Sequence, residues 1–242
     1  MRRVFPVLLG TLLVLSGCSG SNSEPGALSR FYASLRARFS SGQKELQRSL
    51  EAKKQAHSWR MTTLLHAHPG RAMETVIEVA CPDHERIVTS LGDTKYESIR
   101  VGTDAWIQDG KGGWTHQTIT PEAYPCGANA GAPAPWAMMN EGRDMATVIA
   151  TMAEKTNAQV TRGDLIKTSD GQCQQWVANF SHPGGGGRSM SYSVCVGTGD
   201  GLPRQVAMGS GGFLTTYSDW NSPMQINPPA TAAQSTSATP TH

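Results

Sequence analysis

The feature that most constrains this chain is an alternation of apolar and polar residues on both sides of His68-Pro69-Gly70. Proline and glycine favour a tight turn, and a chain that folds back here pairs Trp59 with Val79. The same alignment also pairs Met61 with Ile77, Thr63 with Thr75 and Leu65 with Met73 on this face. On the other face it pairs Arg60 with Glu78, Thr62 with Val76 and Leu64 with Glu74. A slip by one residue would lose both the apolar face and the opposite charges. The segment therefore predicts a β-hairpin with one apolar face.

A second hairpin is predicted around the glycine run at residues 184–187. Folding back at this run places Cys173 opposite Cys195. The same step pairs Trp176 with Tyr192, Ala178 with Met190, Gln175 with Ser193 and Asn179 with Ser189. Facing cysteines lie within the Cβ separation that a disulfide needs, so the pattern predicts a Cys173–Cys195 disulfide.

The remaining pattern predicts further strands and two helices. Strands are expected at residues 85–90, 95–101, 105–109, 159–168, 203–208, 213–219 and 224–226. Helical spacing runs from Leu28 to about residue 56 with an interruption at Gly42, and Met145, Val148, Ile149 and Met152 form a helical stripe within residues 142–155. Short connections favour an antiparallel meander. We therefore expect an α+β fold, with a curved antiparallel sheet covered by an N-terminal helix and a mid-chain helix.

The N-terminus carries the pattern of an export signal. Arg2 and Arg3 precede an apolar run at residues 4–15, which is too short to span a bilayer and is typical of a signal peptide. The run ends in Leu15-Ser16-Gly17-Cys18, which resembles the bacterial lipobox and implies that Cys18 becomes a lipid anchor. The alternative is an ordinary signal peptide with a chance cysteine. Because Ser19 rather than an aspartate follows, the resemblance favours the outer membrane.

Assigning Cys18 to lipid leaves four of the five cysteines. An even number in an oxidising compartment indicates two disulfides. With Cys173 paired to Cys195, the second disulfide is Cys81–Cys126 by elimination.

Composition divides the chain into four parts and limits its partners. We expect a signal peptide at residues 1–17, a tether at 18–27, one domain at 28–228 and a disordered tail at 229–242. The signal peptide holds two of the 21 basic residues and none of the 19 acidic ones, so 19 of each remain. This balance, without a basic cluster, argues against a nucleic-acid partner.

Candidate catalytic and metal-binding residues are weakly supported. His66 and His68 would share a strand face, but they lack a carboxylate or cysteine at ligand-like spacing, and solvated histidines beside a turn are the favoured interpretation. Residues 41–44 match Ser-x-x-Lys without its partner motifs. No nucleophile elbow or zinc-protease motif occurs. We therefore predict no catalytic residue, metal or cofactor, while a hydrolase remains unsupported rather than excluded.

Large apolar residues of the predicted strands and helices form the candidate ligand site. Methionine suits either a packed core, which is its ordinary role, or an adaptable cavity. A curved sheet closed by helices offers such a cavity. The side chains expected to line it are Trp59, Met61, Leu65, Ile77, Met145, Ile149, Met152 and Trp176.

Two segments resemble a known superfamily. Residues 97–106, followed by Trp114 after a Gly-Lys-Gly-Gly turn, and the ending at residues 217–228 are similar to strands of the outer-membrane lipoprotein carriers and receptors (LolA/LolB-like), with their LppX and RseB relatives. The resemblance covers about residues 40–229. It implies an incomplete antiparallel barrel around helices, a cavity for acyl chains, and no catalytic residues. The two disulfides and the Gly/Pro/Ala-rich stretch at residues 125–135 depart from it.

The resemblance implies an outer-membrane lipoprotein that faces the periplasm and binds a lipid or the acylated end of another lipoprotein. Its partners would be the membrane, through Cys18, and that apolar ligand. The alternative is an envelope protein-interaction module, for stress sensing or scaffolding, with a filled interior and a specific protein partner.

Overall fold

The structure is a computed structural model that describes residues 41–68, 71–108, 112–119, 126, 144–181, 189–209 and 211–230. Within these residues, eleven strands form one sheet and two α-helices pack against it. The helices are α1 (Gly42–Lys54) and α2 (Met145–Lys155). The strands are β1 (Ser58–His68), β2 (Arg71–Ala80), β3 (His84–Leu91), β4 (Thr94–Val101), β5 (Asp104–Gln108), β6 (Trp114–Thr118), β7 (Gln159–Thr168), β8 (Gly171–Ser181), β9 (Ser189–Gly197), β10 (Pro203–Met208) and β11 (Phe213–Ser218).

The order of the strands places the first and the last described strands next to each other at the centre of the sheet. The order is β6-β5-β4-β3-β2-β1-β11-β10-β9-β8-β7, and the pairing is antiparallel throughout. The sheet is curved and open, with β6 and β7 as its outermost described strands. This confirms the predicted α+β half-barrel with two helices. The first part of the predicted N-terminal helix, residues 28–40, lies outside the described residues.

The register of the first hairpin is the predicted one. Trp59 pairs with Val79 and Leu65 with Met73, and the register of the two strands shifts only between His66 and His68. On the other face, Arg60 Nη2 donates a hydrogen bond of 2.8 Å to Glu78 Oε1. The opposite charges therefore fix the register together with the apolar face.

The register of the second hairpin differs from the prediction by two residues. Gln175, rather than Cys173, lies opposite Cys195. The observed pairs are Trp176 with Val194, Ala178 with Tyr192 and Asn179 with Ser191, in place of Tyr192, Met190 and Ser189. A slip by two leaves every side chain on its expected face, because strand side chains alternate with period two. Polarity alone therefore could not reveal it.

Both predicted disulfides are present despite this slip. The Cα atoms of Cys173 and Cys195 are 5.4 Å apart on diagonal positions of β8 and β9. Those of Cys81 and Cys126 are 5.7 Å apart. Both distances lie in the usual range for a disulfide, so either facing or diagonal cysteines meet the requirement.

The helices pack closely on each other through small side chains and glutamine hydrogen bonds. Gln43 Nε2 donates to the carbonyl of Ala158 at 3.0 Å, and Gln47 Nε2 donates to that of Ala150 at 3.3 Å. The buried residues of α2 are Ala146, Ile149, Ala150 and Ala153. The predicted stripe is therefore displaced, since Met145, Val148 and Met152 are only partly buried. Alanines allow α2 to approach α1 closely, and the longer side chains lie at its flanks.

Most strand boundaries fall within two residues of prediction, but residues 224–226 form no strand. The preceding strand, β11, is already paired with β1 on one side and β10 on the other, so it has no free edge for another strand. Ile226 is nevertheless buried, with 5% of its surface exposed. The predicted strand at residues 224–226 is therefore wrong, and Ile226 is buried without sheet pairing.

The two faces of the sheet differ in chemistry. The inner face, defined here as the one that contacts α1 and α2, carries the apolar cluster that includes Met61, Ile77 and Trp176. The outer face carries an ion-pair chain in which Glu78 accepts hydrogen bonds from Arg60 and Arg86. A ligand of apolar character is therefore best matched by the inner face.

Candidate ligand-binding face

The eight side chains predicted to line a cavity come together in one cluster between the sheet and the helices. Five of them, Trp59, Met61, Ile77, Ile149 and Trp176, are buried. The other three, Leu65, Met145 and Met152, are partly buried against the same cluster. The cluster is packed with side chains of α1 and α2, so this half of the inner face is a hydrophobic core. Its role in ligand binding stays a prediction.

A buried polar network holds the ends of both helices to the sheet. Asp144, which precedes α2, accepts hydrogen bonds from Lys53 and Thr147 and one of 2.6 Å from the Tyr217 hydroxyl. The Lys53 ammonium also lies 5.1 Å from the centre of the Trp59 ring, within cation–π range. One cluster therefore joins α1, α2, β1 and β11.

Titration of this network depends on burial and on close charges. Burial favours the neutral form of Asp144, but the Lys53 cation and the hydrogen bonds outweigh it and hold the pKa of Asp144 below its usual value. Burial raises the pKa of Tyr217 well above its usual value, and the adjacent Asp144 carboxylate raises it further. The Asp144 carboxylate therefore stays ionised at neutral pH, and its hydrogen bond from Lys53 holds the end of α1 to the start of α2.

An apolar row crosses the inner face from the helix-covered half to the other half. Phe213 pairs with Leu65, Leu65 with Met73, and Met73 with Leu91. Exposure rises along this row from 8% at Phe213 to 46% at Leu91. Tyr96, diagonal to Leu91 on β4, is also 46% exposed. In the described part of the chain, the main helix contacts with the sheet are to β7, β8, β9 and β10, so the helices leave this end of the apolar row uncovered.

A row of threonines runs beside the apolar row. Thr63 and Thr215 share a hydrogen bond of 2.9 Å, and Thr75 and Thr89 share one of 3.3 Å. Because these hydroxyls satisfy each other, they place no buried unpaired group on the face. An apolar ligand could therefore lie over them without a large desolvation penalty.

Two ionisable side chains lie at the other end of the same strands. Glu85 is opposite Arg100 on the inner face of β3 and β4, and Arg100 is only 1% exposed. Loss of solvent raises the pKa of Glu85 from 4.5 to about 7, although the Arg100 charge lowers it. The inner face thus has an apolar end at Leu91 and Tyr96 and a polar end at Glu85 and Arg100.

Sequence reasoning missed Leu91 and Tyr96 as candidate site residues. Extending the first hairpin register through the turn at residues 81–83 would have placed Leu91 on the apolar face, because β3 pairs with β2 without a slip. Extending it again through the turn at Gly92 would have placed Tyr96 there. The histidine hypothesis gains no support among described residues, where no group of three or more potential metal ligands lies together. Neither described helix is long and apolar enough to cross a membrane.

Comparison with known proteins finds similarities to solved structures at low identity. No family model matches the chain, and no curated protein matches it. An uncharacterized conserved protein from Thermus thermophilus is 7% identical, with 73% of this chain and 85% of that chain covered and a TM-score of 0.37. The MucA/MucB complex of Pseudomonas aeruginosa gives 14% identity, 80% and 60% coverage, and a TM-score of 0.38.

An outer membrane lipoprotein-sorting protein domain from Vibrio parahaemolyticus is 10% identical, with 76% of this chain and 95% of that chain covered and a TM-score of 0.23. The chain spans only 60% of the chain matched in the MucA/MucB complex.

Proposed function

We propose that this chain is a bacterial outer-membrane lipoprotein, anchored through Cys18 and facing the periplasm, that binds an apolar ligand on the inner face of its half-barrel and catalyses no reaction. The ligand is a lipid or the acylated end of another lipoprotein. The observation that carries the proposal is the side-by-side exposure of Leu91 and Tyr96, each 46% exposed, at the end of an apolar row whose other members are buried or partly buried. Contiguous exposed apolar surface is typical of a binding site.

The dimensions and chemistry of the row suit an extended acyl chain. From Phe213 to Leu91 the row crosses four neighbouring strands, a distance of roughly 14 Å at the usual spacing between strands. Met73, in the middle, is a flexible side chain that adapts to irregular apolar partners. Leu65 joins the row to the buried cluster, so the ligand would extend the existing core rather than replace it.

The ligand can be tested on the secreted chain without its lipid anchor. We expect a lipid in organic extracts of the purified protein and uptake of a fluorescent fatty acid. Leu91→Gln should weaken uptake roughly 5- to 30-fold, because up to about 2 kcal/mol of apolar contact is lost. The matched control is Leu165→Gln. Leu165 is 55% exposed and lies on the outermost strand β7, in the other half of the sheet, so this change should alter uptake less than twofold. Absence of both lipid and uptake would contradict the proposal.

The anchor is tested separately. Metabolic labelling with palmitate should mark the wild-type chain, and the label should disappear in Cys18→Ala. The labelled protein should sediment with outer membranes. An unlabelled wild-type chain recovered in the soluble periplasm would support the ordinary signal peptide instead.

The alternative, a protein-interaction module, makes a different prediction for the sheet edges. Edge pairing by a partner is hindered at β7, where the register shifts between Arg162 and Leu165, because bulges and charges disrupt strand addition. A protein partner would therefore use the exposed apolar end of the row or the other outermost described strand, β6, rather than β7. Specific crosslinking to one envelope protein through Leu91, without any bound lipid, would favour this function over lipid binding.

A further inference from the structure

The outer face carries a groove that the proposed function does not use. It has a volume of about 460 Å³ and lies between the sheet and the C-terminal segment. Its sheet wall is formed by Arg86, Glu97, Ile99 and Trp114, and its other wall by residues 225–230. This volume is within the range of about 300–1,000 Å³ that is typical of small-molecule sites.

The walls of the groove are held in place by contacts on both sides. Ile226 is 5% exposed and Ile99 is 6% exposed, so both are held by packing. Upstream, the backbone N–H of Asn221 donates to the Ser58 carbonyl at 2.9 Å, and the Ser58 hydroxyl donates to the Ser222 carbonyl at 2.6 Å. The segment therefore enters the groove region from a fixed point on β1.

The charged side chains that line the groove, Arg86 and Glu97, have opposite signs and cancel, and the neighbouring Glu78 carboxylate is balanced by Arg60. Arg86 Nε donates to Glu97 Oε1 at 2.7 Å, and Arg86 Nη1 donates to Glu78 Oε2 at 3.2 Å. An anion would meet a cation that two carboxylates already neutralise, and a cation would meet carboxylates already paired. The wall offers hydrogen-bonding atoms without a net charge to attract an ion, which favours a neutral ligand.

The remaining groups suit a ring with one apolar face and a polar rim. Trp114 supplies a half-buried aromatic surface, whose negative face attracts the slightly positive hydrogens of C–H groups. Gln225 and Asn227 carry side-chain amides that both donate and accept hydrogen bonds. We propose that this groove binds a neutral oligosaccharide with N-acetylated rings, with one sugar ring against Trp114 and its hydroxyl and acetamido groups bonded to the amides.

The test is calorimetric titration of the full chain with the trimer of N-acetylglucosamine. Binding is expected in the range of about 10 µM to 1 mM. Trp114→Leu should weaken it at least about tenfold, since the loss of aromatic contact exceeds about 1.4 kcal/mol. Trp106→Leu is the matched control, because Trp106 lies on the same face but contacts His116, with ring centres 5.2 Å apart, and does not line the groove. The control should stay within about twofold of wild type.

A second variant keeps the proposal falsifiable if Trp114→Leu fails to fold. Asn227→Ala changes an exposed side chain and should weaken binding about threefold to tenfold through a lost hydrogen bond. No heat of binding at millimolar trimer, or equal loss in both tryptophan variants, would overturn the proposal. Binding seen only after residues 231–242 are removed would also overturn it, because the tail would then be the occupant. Fatty acid uptake should be unchanged in Trp114→Leu, so this result is independent of the inner-face function.

Discussion

Replacing Glu85 with glutamine should remove a pH dependence from the stability of the domain. Glu85 lies on the inner face of β3, opposite Val79 on one side and Arg100 on the other. Loss of solvent raises its pKa from 4.5 to about 7 in the folded chain, with Arg100 acting in the opposite direction. In the unfolded chain the carboxyl is solvated and titrates near its ordinary value.

The sign and size of the effect follow from proton linkage. Between about pH 4.5 and pH 7 the folded chain keeps a proton that the unfolded chain has released, so stability falls as pH rises through this interval. The interval from 4.5 to about 7 corresponds to about 3 kcal/mol. Glu85 is only partly buried by surface area, and the remaining contact with water reduces the expected loss to on the order of 2 kcal/mol. Above about pH 7 no further loss from this group is expected.

The assay is urea unfolding with the disulfides intact, at about pH 5 and about pH 8. From about pH 5 to about pH 8, the free energy of unfolding of the wild-type chain should fall by on the order of 2 kcal/mol more than that of Glu85→Gln, because other titrating groups contribute equally to both proteins. Glu74→Gln, which changes an exposed carboxylate on β2, is the control and should follow the wild-type profile. Parallel profiles for wild type and Glu85→Gln would refute the reasoning.

Two further predictions concern the elements that hold the fold together. Lys53→Met should lower the free energy of unfolding by about 3 kcal/mol, because it leaves the Asp144 carboxylate buried without its cation. The control Lys54→Met removes an exposed ion pair and should lower it by less than about 1 kcal/mol. Equal losses in urea titration would show that the Lys53–Asp144 pair is solvated. Replacing Cys173 and Cys195 together by alanine should lower the free energy of unfolding by about 3 kcal/mol, because the disulfide closes a loop with a sequence separation of 22 residues and so restricts the unfolded chain. An unchanged melting temperature would argue against a formed disulfide.

The two hairpins show which kind of sequence information specifies register. Around β1 and β2, the charges of Arg60 and Glu78 and a short Pro-Gly turn allow a single alignment. Around β8 and β9 the connection is long and glycine-rich, and alternation has period two, so alignments two residues apart look alike. The disulfide could not choose between them, because Cys173 and Cys195 can bond across or along the diagonal.

The site was predictable only in part because helix packing is not encoded in large side chains alone. The sequence indicated that Met145 and Met152 would be buried under the helix, but Ala150 and Ala153 are among the buried residues of α2 instead. The helices fill the region where a cavity was expected. The exposed end of the apolar row depends on where the helices stop covering the sheet. That boundary is set by tertiary packing between α1 and α2, for which spacing along the chain gives no signal.

The position of β1 has a consequence for how the chain is made. β1 is synthesised long before its partner on one side, β11, because 152 residues separate the hydrogen-bonded Thr63 and Thr215. Until then, one long row of backbone donors and acceptors on β1 is open to any extended peptide that it meets. The antiparallel runs β1–β6 and β7–β11 can each form quickly from contacts that are local in sequence. The pairing of β1 with β11 must wait until the distant β11 segment is available. A chaperone that shields this nascent strand would therefore protect the step that is most open to misassembly.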